Sequence, residues 1–257
     1  MQTGFTSQDF IRFLIVMAVM GVLFGWAYAT KRMQKDFSST MTWVLIPVAI
    51  AINISIGQLV VVLKLPVYLD SIGTVLVGVL CGPWAGALAG ALSNFVAGII
   101  FDPGWWPWIP VAAVIGLTAG FCANMGFFKT WWKVAVTGFL IALAATITGS
   151  PIAVLLGGIS ASGSSIITAF LLQTGKGIFE SVLTTNFLVE PIDKISTSLL
   201  AFAILDGLST RYLARFPRGE NAQLNQQKRT IELVIALVVV AILVIVTILF
   251  VVPLVNQ

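Results

Sequence analysis

Long apolar runs almost free of charge are the feature that most restricts what this chain can fold into. A helix needs roughly 20 mostly apolar residues to cross the hydrocarbon core of a bilayer. The chain offers about eight such runs, at 10–29, 42–63, 67–80, 84–101, 108–128, 134–156, 187–205 and 231–252, two of them short or interrupted. Only 9% of residues are charged, against about 25% in an ordinary soluble domain. Lipid offers no partner to a backbone amide, so spanning segments must satisfy their own hydrogen bonds. The predicted fold is therefore all-α: a polytopic membrane helix bundle.

The net charge of +4 does not point to nucleic acid, because the basic residues fall in short loops beside apolar runs. Lys31, Arg32 and Lys35 follow the first run, Lys129 and Lys133 the fifth, and Arg211, Arg215, Arg218, Lys228 and Arg229 fill the loop before the last. If the spans alternate, these loops share one side, which the positive-inside rule makes cytoplasmic. The opposite side then holds Lys64, Asp70, Asp102, Lys176, Glu180, Glu190, Asp193 and Lys194, together with both ends of the chain. The first run follows Asp9 and contains Arg12, with no basic leader and no small-residue cleavage site, so it reads as a retained helix.

Histidine is absent, and Cys81 and Cys122 both lie in apolar stretches, which argues against a Cys/His metal site, a disulfide framework or histidine-based catalysis. No GxSxG, HExxH or Walker A pattern occurs, so no enzyme, no metal and no cofactor is expected of the chain itself.

Several patterns bear on function. Gly78, Gly82, Gly86 and Gly90, continued by Asn94 and Gly98, step by four residues, a spacing that lets helix backbones approach closely. The Gly82-Pro83 pair breaks that ladder into a hairpin of two short helices. In the preceding run Pro47, Ala51 and Ser55 step likewise, on a face suited either to internal packing or to docking another helix. LPVYLDSIG (65–73) places Tyr68, Asp70 and Ser71 at the outer entrance of the third span. FDPGWWPW (101–108) holds Trp105, Trp106 and Trp108 between prolines, which suits an interfacial belt and equally a lid that stacks on a flat ligand.

The stretch 157–186 is rich in Gly, Ser and Thr, and its apolar part, 166–172, suits a re-entrant or interfacial helix. From 173 to 194, Gln173, Lys176, Glu180, Asn186, Glu190, Asp193 and Lys194 alternate with apolar residues. Charges there must pair or touch a ligand, since an unpaired charge in lipid is costly. Glu190 and Lys194 are spaced to pair on one helix face. The last run, 231–252, is almost entirely Leu and β-branched residues and reads as a lipid-facing anchor behind the polar linker 217–230.

LPVYLDSIGTVLVGVLCGPWAGALAGALSN (65–94), the Trp-rich loop and NFLVEPIDKISTSLLAFAIL (186–205) together resemble the S components of energy-coupling factor (ECF) vitamin transporters. The resemblance covers 41–216, which it makes a six-helix substrate-binding core, with residues 1–40 and 231–257 contributing one extra transmembrane helix at each end. It implies high-affinity capture and uptake of a vitamin or vitamin precursor at the cell membrane of a prokaryote. It also implies assembly with a T component and two ATPase subunits, which hydrolyse the ATP. On this reading Tyr68, Asp70, Asn94, Trp105, Trp106, Gln173, Lys176, Glu180, Asn186 and Glu190 line an outward pocket. Ala51 and Ser55 stand where the family carries its small-residue docking motif, loosely matched here. The alternative is a membrane-embedded ligand-sensing module without transport, against which stands the lack of a cytoplasmic output domain.

Overall fold

The computed structural model describes Gly25 and residues 33–63, 65, 67–158, 164–222 and 229–255; the expected first helix, 10–29, lies outside the described residues apart from Gly25. Every regular element among the described residues is helical: α1 (Thr40–Val62), α2 (Ile72–Cys81), α3 (Pro83–Ile100), a 3-10 turn (Pro103–Trp108), α4 (Ile109–Asn124), α5 (Trp131–Leu155), α6 (Ser164–Gln173), α7 (Ile178–Gly207), a single turn (Thr210–Leu213), a 3-10 turn (Gly219–Ala222) and α8 (Arg229–Val255). Among the described residues four spans are long and apolar enough to cross a membrane: α1, α3, α5, and α4 with its preceding turn. The chain is a membrane protein.

The glycine ladder sets the closest packing. Gly86 on α3 lies against the backbone of Gly78 on α2, and Gly116 on α4 lies against Gly86, at distances where no Cβ would fit. Gly90 rests on the Ala112 backbone and Gly120 on Pro83. Three helices thus meet backbone to backbone, which substitutes for a hydrophobic drive that lipid does not supply. Gly82 joins α2 to α3 at φ +114°, a conformation that favours glycine, and Pro83 opens α3 where its missing N–H is no loss.

Two elements differ from expectation. The third span was expected over 67–80, but α2 begins only at Ile72, and 67–71 is irregular backbone carried into the bundle. Gly73, at the start of α2, packs on Ala49 in the middle of α1, so this irregular segment lies below the outer end of α1. Such backbone is tolerated at membrane depth only where protein satisfies it. Here the Asp193 carboxylate does so.

The seventh span was expected over 187–205, but α7 runs unbroken from Ile178, through Pro191, to Gly207. Its polar residues fall at helical spacing on one face, and that face is inward: Ser181, Thr185, Asn186, Glu190, Asp193 and Lys194 are buried while Phe179, Phe187 and Leu188 are exposed. The alternation of polar and apolar residues was the period of an inside-out helix. α8 is not only an anchor, since it packs along α7 and sets Ala236 and Val240 into the core.

At the end of the bundle where α2 meets α3, the chain after α7 folds back. Arg218 donates from Nε and Nη2 to Asp36 Oδ1 (3.0 and 2.6 Å) and from Nη1 to Asn124 (2.9 Å), while the other Asp36 oxygen accepts from the Trp84 amide at the start of α3 (3.0 Å). Burial pushes the Asp36 carboxyl above the ordinary aspartate range, with Arg218 the main opposing influence. Arg218→Ala is expected to cost stability toward the low end of the about 3–5 kcal/mol typical of a broken buried pair, because Arg218 is partly exposed. The penalty should shrink as the pH falls, since the stranded Asp36 carboxylate is relieved by taking a proton. Thermal unfolding of both proteins at neutral and mildly acidic pH checks this; a pH-independent difference would show that Asp36 is not the group left unpaired.

Candidate ligand-binding site

The irregular segment before α2 and the inward face of α7 build one polar centre. Asp193 Oδ1 accepts from the amides of Tyr68 (2.9 Å) and Leu69 (2.7 Å), and its Oδ2 accepts from Lys194 Nζ (2.5 Å). Leu69 sits at φ +50°, a left-handed conformation that a bulky residue adopts only when its surroundings hold it. Its amide bond to Asp193 is part of that hold. Lys194 also donates to Ser71 Oγ (3.3 Å) and stands 3.8 Å from Glu190 and 3.9 Å from Asp70. Asp193 and Lys194 are buried together, Glu190 is 8% exposed, and Asp70 is partly buried.

Tyr68 connects this centre to a cleft. Its ring lies over Lys194 Nζ (5.4 Å to the centroid), and its hydroxyl shares a 2.9 Å hydrogen bond with Ser164 at the start of α6. The cleft holds about 250 Å3 of empty space, open mouth included, between Tyr68, Trp108, Ser164, Thr168, Thr185 and Asn186. Thr168 donates to Thr185 (3.0 Å), and Asn186 donates to Ser150 on α5 (2.9 Å), so α5, α6 and α7 are tied together around it. Most of that space is open solvent: the enclosed room is about 10 Å3, space for roughly one water molecule, against the roughly 300–1,000 Å3 usual for a small-molecule pocket.

Of the residues expected to line a pocket, the structure brings Tyr68, Asp70, Asn186 and Glu190 together. Asn94 is buried on α3. Trp105 reaches Gly57 on α1, and Trp106 packs on Gly98 and donates from Nε1 to the Phe95 carbonyl (3.2 Å), so both indoles sit against α1 and α3 and neither lines the cleft. Gln173 is exposed, and Lys176 pairs with Glu180 (2.9 Å) on the exterior. Ala51 and Ser55 are exposed on α1.

Sequence reasoning did not single out Ser150, Ser164, Thr168 or Thr185. A hydroxyl inside an apolar run usually bonds its own helix, and nothing in the order of residues tells which will instead face a cleft. Comparison with family models, with curated proteins and with solved structures returns no match for this chain.

Proposed function

We propose that this chain captures a vitamin or vitamin precursor within the membrane, as the substrate-binding subunit of an ECF-type uptake transporter. The observation that carries the reading is a buried centre of Asp70, Glu190, Asp193 and Lys194 joined through Tyr68 to a cleft that Tyr68 and Asn186 line. Ionisable side chains at membrane depth are expensive to hold and mark substrate or ion sites. The small volume of the cleft belongs to a closed form, and ligand entry requires it to widen. α6 is the element most easily displaced, because only Ser164 and Thr168 of its ten residues are buried. The exposed Ala51 and Ser55 offer α1 as the docking face for a T component, with ATP hydrolysis supplied by the two ATPase subunits.

The eight tryptophans provide a direct readout, with Trp108 at the cleft itself. A panel of vitamins and precursors added to the purified protein is expected to yield a compound that quenches tryptophan fluorescence and raises the melting temperature. Asn186→Ala should weaken that compound about tenfold, corresponding to one lost hydrogen bond of about 1.4 kcal/mol. If no compound in the panel alters either signal, capture is the wrong function.

A further inference from the structure

The polar centre does not balance its charge. Asp70, Glu190 and Asp193 surround Lys194, so three carboxyl groups share one ammonium, which can balance the charge of only one of them. The three acids are not equivalent. Asp193 is fully engaged by Lys194 and two backbone amides. Asp70 accepts the Ser71 hydroxyl (3.2 Å). Glu190 Oε2 is buried with no hydrogen-bond partner, its nearest cation being Lys194 at 3.8 Å.

Nothing packed against α7 supplies the missing charge among the described residues. α2 and α6 contain no lysine or arginine. α5 carries only Lys133, in its first turn, whereas it meets Asn186 through Ser150 near its other end. The segment 67–71 adds Tyr68 and Asp70, the Gly219–Ala222 turn adds Glu220, and α8 has its charged residues, Arg229 and Glu232, in its first turn. A buried carboxylate that makes no hydrogen bond at one oxygen and shares its cation with two other acids is expensive for a protein to hold. Glu190 lies one helical turn beyond Asn186, which lines the cleft, on the same buried face of α7. The lining also includes two aromatic rings, Tyr68 and Trp108, whose faces attract cations.

We infer that the ligand of this site is a small organic cation, a protonated amine or a quaternary-nitrogen heterocycle, and that Glu190 is its counter-ion. This rests on the capture reading and adds the charge of what is captured. Neutral and anionic ring compounds of similar size are rejected because they leave Glu190 unpaired.

The test uses the full-length protein in lipid nanodiscs, with thiamin as the cationic probe, riboflavin as the neutral one and pantothenate as the anionic one, within a wider panel sorted by charge. Binding is read by tryptophan quenching and thermal shift. The expected result is that every binder is cationic, and that Glu190→Gln weakens it at least tenfold while keeping the wild-type elution profile. A neutral or anionic binder would overturn the inference and leave capture standing, and a panel with no binder would remove capture itself. Two further results would also overturn it. One is undiminished cation binding by Glu190→Gln; the other is saturable stabilisation of the ligand-free wild type by low concentrations of sodium chloride, which would make the missing charge an inorganic ion. Should Glu190→Gln not fold, the charge sorting on the wild-type protein still decides the question.

Discussion

Asp193→Asn is expected to lower the melting temperature of the solubilised protein by about 10 °C and to abolish ligand binding. Asp193 ties the two halves of the polar centre together, accepting from the Tyr68 and Leu69 amides with one oxygen and from Lys194 with the other. An amide at this position gives up the closest of the Lys194 ion pairs and leaves only the longer ones to Glu190 and Asp70, at 3.8 and 3.9 Å. Breaking a buried pair costs about 3–5 kcal/mol, and each kcal/mol moves the melting temperature of a protein this size by about 2–4 °C. The double variant Asp193→Asn with Lys194→Met should not regain the loss, because it leaves Asp70 and Glu190 without the cation they share. Binding should not return either, because the backbone of 67–71 loses the acceptor that shapes it. A single variant that melts within about 3 °C of wild type would show that the segment is held by something other than this carboxylate.

Gly116→Val should have an effect of similar size by a different route. A Cβ at Gly116 would fall on the backbone of Gly86 and Ala87, and backbone has no alternative rotamer through which to give way. Overpacking a core typically costs about 1–3 kcal/mol when side chains can adjust. With α3 and α4 in direct contact, the expected outcome is at or above that range, seen as loss of the monodisperse peak on size exclusion. Gly207→Ala is the control, since nothing lies within 4 Å of the position where its Cβ would go. Equal behaviour of the two variants would mean that the α3–α4 approach is looser than drawn here.

The helices were legible from sequence because apolar length is a property of each segment alone. α1, α3, α5 and α8 start within a few residues of the expected runs, and Gly82-Pro83 marked the hairpin correctly. What was not legible is pairing between distant segments. Asp193 and Tyr68 are 125 residues apart, and Asp36 and Arg218 are 182 apart; no local pattern couples either pair. Arg218 was read only as one of many loop cations reporting orientation, and Asp36 was passed over. The polar run 173–194 was recognised as important, yet half of it faces away from the cleft. Lys176 and Glu180, four residues apart, satisfy each other outside, while Glu190 and Lys194, with the same spacing, are drawn into the centre by Asp193 and Asp70. The same local rule describes both pairs, and only the packing of α7 on α5 and α2 separates their roles.

The inverted polarity of α7 carries a consequence for how the protein is made. A helix presenting Glu190, Asp193 and Lys194 on one side is a poor candidate for release into lipid as it leaves the ribosome, each such charge near mid-bilayer opposing insertion by about 2.5–3.5 kcal/mol. Its hydrophilic stripe matches a groove formed by segments synthesised earlier, α5 and the loop leading into α2. Biogenesis therefore favours an order in which the earlier spans stay together and sheltered until α7 arrives, and α8, emerging after it, packs along α7.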